Sequence, residues 1–168
     1  MSEFAARYQQ PETAFENRYV LAGQVLIATR PTRFSTVLGS CVAVCLFDPM
    51  KGIGGINHIQ MPGKPNRADK EPNRWAVPGT ESLIEQLCHA GAGYKNLRAK
   101  VFGGASTSTR DVPENLRIGD LNVQSVLGVL QEHRIRIGSS HTGGNTGLKL
   151  LFDSHDGSVW VKQLVRKN

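Results

Sequence analysis

Long apolar runs are missing from this chain of 168 residues: no window approaches the roughly 18 to 20 apolar residues that a bilayer-spanning helix needs. The opening Met1-Ser2-Glu3-Phe4-Ala5-Ala6-Arg7 lacks the apolar segment of a secretory signal. No direct membrane insertion is therefore expected, and the cytoplasm is the expected compartment. Cysteine is sparse as well. Cys41, Cys45 and Cys88 form an odd set without framework spacing, which excludes a disulfide-stapled fold and suits a reducing environment. Aromatic residues make up only 7%, so stacking platforms for bases are scarce. The formal charge is +6, but Lys and Arg are scattered, with no run of five or six. No nucleic-acid partner is expected, and the charge reads as steering toward an acidic partner surface. Internal repeats and low-complexity tracts are also lacking.

With 39% hydrophobic and 20% charged residues, the composition is that of a globular domain large enough to bury a core. Residues 1–17 read as a flexible polar tail, and 18–168 as a single domain. Strand material occupies 18–22 and 24–28, broken by Gly23. Phe34 to Phe47 reads as strand, Gly-Ser elbow and second strand, and the run Val42 to Phe47 is apolar on both faces, as in a strand buried between layers. Another strand follows over Ile53 to Met61, then a charged, proline-bearing exposed loop over 62–79. Thr80 reads as the N-cap of a helix that Gly91 stops. A strand over 98–102 leads to Gly103-Gly104, and a second helix starts at Asp120 with Leu121, Val123, Val126, Leu127, Val129 and Leu130 as its stripe. The last third alternates in β fashion, with Asp156-Gly157 as a hairpin turn. The sum is an α/β domain with mostly antiparallel strands and two main helices.

Cys41 stands out chemically. It follows the turn Leu38-Gly39-Ser40, and His58 lies seventeen positions on. An exposed thiol with an imidazole one strand away is the minimal kit for thiolate catalysis, and backbone N–H groups of such a turn can hold an oxyanion. Cys45 and Cys88 read instead as core cysteines. Asn57 points to the face of its strand opposite His58, so a hydroxyl from Ser35 or Thr36 is the candidate that orients the ring. A shared metal is excluded for Cys41 and Cys45, because four strand residues separate their Cα atoms by about 13 Å. Thr142-Gly143-Gly144-Asn145-Thr146-Gly147 lacks the Gly-Lys-Ser/Thr ending of a P-loop and reads as a turn or site-lining loop.

The blocks Leu38-Gly39-Ser40-Cys41-Val42-Ala43-Val44-Cys45-Leu46 and Gly55-Ile56-Asn57-His58-Ile59-Gln60-Met61-Pro62 resemble the chemoreceptor glutamine deamidase family, CheD. The resemblance continues through Lys100-Val101-Phe102-Gly103-Gly104-Ala105, Ile118-Gly119 with Asn122, and Thr142-Gly143-Gly144-Asn145, covering roughly residues 18 to 165. It implies a protein-glutamine glutaminase that converts receptor glutamines to glutamate through a cysteine thioester, with Cys41 as nucleophile and His58 as base. The family's third residue is usually a threonine six positions before the cysteine; here that position is Ser35, with Thr36 beside it. Gly39, Ser40, Gly103, Gly104, Thr142, Gly143 and Gly144 are the expected lining of the substrate site. The implied fold is a four-layer α/β/β/α arrangement shared with deamidating bacterial toxins. No cofactor or metal is implied; the implied partners are methyl-accepting chemotaxis receptors and a CheC-type phosphatase. Leu121, His141 and Leu148 depart from residues common in the family, while the Cys-His pair is kept. The competing expectation is a receptor- or CheC-binding adaptor in which Cys41 is structural.

Overall fold

The computed structural model describes residues 3–8, 15–106, 112–113 and 116–165. Among the described residues, nine strands form two sheets. Strands β1 (Glu16–Tyr19), β3 (Thr32–Leu38), β8 (Leu148–Asp153) and β9 (Val159–Gln163) make one, in the order β1-β3-β8-β9. Strands β2 (Val25–Ala28), β4 (Val42–Asp48), β5 (Ile53–Asn57), β6 (Arg98–Gly103) and β7 (Arg136–Thr142) make the other, in the order β2-β5-β4-β6-β7. Only β1 with β3 and β6 with β7 run parallel; the remaining described pairs are antiparallel.

Alternation along β4 accounts for the layers. All seven of its residues are buried. Ala43, Cys45 and Phe47 pack with Phe34, Leu38, Leu150 and Phe152 between the sheets. Val42, Val44 and Leu46 pack instead with Leu83, Leu87, Val126 and Leu130 of helices α2 (Ala76–His89) and α3 (Ile118–Glu132). A strand apolar on both faces is the sequence signature of that middle position. Within the segment expected as a tail, Glu3–Tyr8 forms a short helix, α1, which touches β9. Helices α2 and α3, the five-stranded sheet and the four-stranded sheet are thus stacked in that order, and the six-residue α1 lies against edge strand β9 of the four-stranded sheet.

Several boundaries differ from the sequence reading: β1 spans Glu16–Tyr19, β5 ends at Asn57 and α3 begins at Ile118. Helix α2 begins at Ala76 rather than after Thr80. Pro78 sits in its first turn, where the missing N–H needs no partner, so proline starts this helix instead of delaying it. Thr80 lies inside the helix and is buried. The 62–79 loop is correspondingly shorter: Pro72–Arg74 is a single 3-10 turn, and the Asp69 carboxylate accepts the Trp75 indole N–H at 2.8 Å and the Arg74 guanidinium at 3.1 Å. Strand β7 extends to Thr142, so the expected 142–147 loop starts inside a strand.

Candidate active site

The Gly39-Ser40 elbow carries the chain from β3 in one sheet to β4 in the other, so Cys41 emerges at the rim of the layer between them. Strands β4 and β5 pair Cys45 with Ile56, and beyond the strand ends Val42 bridges Ile59 in the same register. That register sets Gln60 opposite Cys41 and makes His58 its diagonal neighbour on the same face, a separation of about 7–8 Å between Cα atoms. Cys41 is half-buried and His58 is buried.

Asn57 maintains this register. Its Oδ1 accepts the Val44 N–H at 2.8 Å, and its Nδ2 donates toward the Gly79 carbonyl at 3.3 Å and Thr80 Oγ1 at 3.4 Å. The side chain faces α2, away from the His58 ring, as strand alternation requires. His58 is held from the other side, where its N–H reaches the Gln24 carbonyl at 3.0 Å and its carbonyl accepts from Gly23 at 2.8 Å.

Across the inter-sheet layer, Thr36 Oγ1 lies 2.9 Å from His58 Nδ1 and 2.8 Å from the Val20 carbonyl. A hydroxyl carries one proton. Val20 is buried, and donation to its carbonyl satisfies an acceptor that water does not reach. The hydroxyl then accepts Nδ1–H, which leaves His58 Nε2 with its lone pair free. Ser35 occupies the opposite face of β3 and makes no described side-chain bond to the ring. Of the two candidate hydroxyls, the structure brings only Thr36 to His58.

Burial raises the Cys41 thiol above its ordinary value, although its own backbone N–H pulls the other way. Burial likewise lowers His58, opposed by the Val20 carbonyl. Desolvation thus favours the neutral thiol and neutral imidazole at rest. Cys45 is buried, and burial drives its thiol far up; Cys88 packs against the helix-side core.

The glycines expected to line the site converge on the elbow. Gly104 N–H donates to the Cys41 carbonyl at 2.8 Å, and Ala105 N–H to the Gly39 carbonyl at 2.9 Å. Gly103 has a φ of +104°, and a side chain there would collide with the Cys41 carbonyl. Thr142 pairs with Gly103 in the β6–β7 ladder, Gly143 N–H donates to the Gly103 carbonyl, and the Gly144 carbonyl accepts from Ser106. Beside Ser40 opens a pocket of about 300 Å³, walled by Ala105, Ser106, Leu116, Ile118 and Gly119 among others. His141 and Leu148 lie in β7 and β8, exposed and buried respectively, and Leu121 is half-buried on α3.

Asn122 was absent from the candidate residues read from sequence. It is fully buried on α3, and its Nδ2 donates to the Ser40 carbonyl at 3.0 Å and to the Gln60 carbonyl at 3.1 Å. The signal was available: an amide occupies the helical stripe otherwise filled by Val126, Val129 and Leu130.

The family model described as "CheD chemotactic sensory transduction" matches residues 60–163. The "Probable chemoreceptor glutamine deamidase CheD 1" of Anaeromyxobacter dehalogenans is 44% identical over 147 residues, covering 87% of this chain and 84% of that protein. A contiguous span of that extent necessarily includes Thr36, Cys41 and His58. The "Probable chemoreceptor glutamine deamidase CheD" of Sulfurimonas denitrificans is 36% identical over 148 residues, covering 88% of this chain and 94% of that protein. Among solved structures, the Bacillus licheniformis hypothetical protein YfiH shares the fold with a TM-score of 0.55 at 12% identity, covering 84% of this chain and 68% of its own. The family match over more than half the chain, together with these near full-length relatives, shows that the chain belongs to the CheD family.

Proposed function

We propose that this chain is a protein-glutamine deamidase that converts glutamine side chains of chemoreceptors to glutamate and releases ammonia. The observation that carries the reading is the line Val20 carbonyl, Thr36 hydroxyl, His58 Nδ1, which leaves Nε2 as a base on the face that Cys41 shares. The names of the relatives support the same substrate class.

The chemistry uses the chain's own groups. His58 Nε2 takes the Cys41 proton as the sulfur attacks the carboxamide carbon, and N–H groups of the elbow hold the resulting oxyanion. Collapse breaks the C–N bond, His58 returns the proton to the departing ammonia, and a thioester remains. Water, deprotonated by His58, attacks the thioester; the products are the glutamate carboxylate and the restored thiol. A glutamyl methyl ester enters the same sequence with methanol as leaving group. Gly103, Gly104 and Thr142–Gly144 line the approach to Cys41. The nucleophile must stay reduced, which fits an activity in the cytoplasm. The family resemblance adds a CheC-type phosphatase as a second partner.

Incubation with a receptor cytoplasmic fragment, followed by peptide mass spectrometry, tests the reading. Glutamine should become glutamate with the native protein and stay intact with folded Cys41→Ala. Intact glutamines in the presence of stable binding by the native protein would make the chain an adaptor instead.

A further inference from the structure

Each carbonyl of the elbow is tied back. Gly39 is held by Ala105 N–H, Cys41 by Gly104 N–H, and Ser40 by the side chain of Asn122. The peptide unit is planar, so the Ser40 carbonyl and the Cys41 N–H point in opposite directions from one rigid plate. Whatever holds the carbonyl aims the N–H. Among the described residues, no backbone or side-chain oxygen accepts the Ser40 or Cys41 N–H, so both donors stay available to a bound group.

Resting on the deamidase reading above, we propose that Asn122 is a positioning residue: its carboxamide holds the Ser40 peptide so that the Cys41 N–H faces the reacting centre. The second bond of the same amide reaches the carbonyl of Gln60, the residue opposite Cys41 and two beyond His58. One side chain therefore couples the segment bearing the thiol to the segment bearing the imidazole. Both neighbours are carbonyl acceptors, which fixes the amide with its NH2 toward them. The opposite atom, Oδ1, is buried without a partner. A side chain serving packing alone would not leave an acceptor orphaned in the interior; here the donor half is what the site uses.

The test compares Asn122→Ala and the volume-filling Asn122→Leu with Val126→Ala, which cuts the same buried stripe one turn further on. Iodoacetamide labelling at Cys41, resolved by peptide mass spectrometry across pH, needs no receptor. Both Asn122 variants should shift the labelling profile to higher pH, because the thiolate loses an aligned N–H. They should also lower kcat for receptor glutamines by about tenfold or more, with KM within about twofold, as for a lost oxyanion donor. Val126→Ala, at a comparable loss of Tm, should leave the labelling profile and kcat in place. A folded Asn122→Leu whose profile and kcat match the native protein overturns the proposal. If the native protein converts no glutamine, the deamidase reading falls, and the labelling profiles alone decide the positioning role.

Discussion

Thr36 Oγ1 and His58 Nδ1 lie 2.9 Å apart across the two sheets, and the hydroxyl's own proton is directed to the Val20 carbonyl. The imidazole is therefore oriented by an acceptor, which selects its tautomer. Thr36→Val keeps the shape but removes that acceptor and the hydroxyl proton that the Val20 carbonyl accepts. We expect kcat to fall by about 10- to 100-fold, the scale of losing a group that orients a catalytic histidine or its equivalent ligand. Thr36→Ser should recover most of the rate, and Ser35→Ala, on the far face, should change it by less than about twofold. Initial rates of ammonia release on a receptor fragment measure all three; an inactive Ser35→Ala beside an active Thr36→Val would reverse the assignment.

The pH profile follows from burial. The folded state holds His58 below its ordinary value of 6.5, so the unfolded chain takes up that proton first. The neutral histidine's contribution to stability is complete above 6.5 and declines as the pH falls through it. Cys41 is raised above 9.0, as are Cys45 and Cys88, so the unfolded thiols ionise first. Their contribution is complete below 9.0 and is lost as the pH rises past it. Thermal melts should show a plateau between those values, with the alkaline decline reduced but not removed in Cys41→Ser. A Tm that already falls steadily between pH 6.5 and 9.0 would contradict the neutral pair.

Much of this was legible because alternation is a local property. The apolar run Val42 to Phe47 announced a strand covered on both sides, and β4 is buried throughout. Asn57 and His58, adjacent on a strand, had to face apart, and they do. Ser35 against Thr36 could not be decided that way, since either face of β3 could have met the other sheet; the choice depends on Phe34 and Leu38 packing inward. The start of α2 was hidden because Pro78 reads as a stop unless it is known to sit in a first turn. Asn122 reads from sequence only as part of a motif, because its partners are backbone carbonyls 82 and 62 residues away.

Stability far from the site rests on Asp48 at the end of β4. Its carboxylate accepts N–H groups from Met50 at 2.8 Å, Lys51 at 3.3 Å and Gly93 at 2.7 Å, joining the β4–β5 turn to the segment after α2. Asp48→Ala strands these donors and should cost about 2–4 kcal/mol. Denaturant melts would register the loss, while kcat of the remaining folded protein should stay near native, because neither Cys41 nor His58 touches this turn. An equal loss of kcat would tie the turn to the site.

Two glycines near Cys41 should respond unequally to the same change. Gly143, at a φ of +80°, has open space where a side chain would go, so Gly143→Ala carries backbone strain alone, about 1 kcal/mol. Gly103 combines a φ of +104° with the close approach of the Cys41 carbonyl. Gly103→Ala must therefore bear strain and overpacking together, about 2–5 kcal/mol. The collision falls on the carbonyl that Gly104 N–H holds, so relaxation displaces the elbow itself. Cys41 labelling and glutamine conversion should then fall by about tenfold or more in the folded fraction of Gly103→Ala, since a misplacement of about 1 Å costs catalysis on that scale. Gly143→Ala should keep both within about threefold. Equal losses in the two variants would mean that the elbow is not what Gly103 protects.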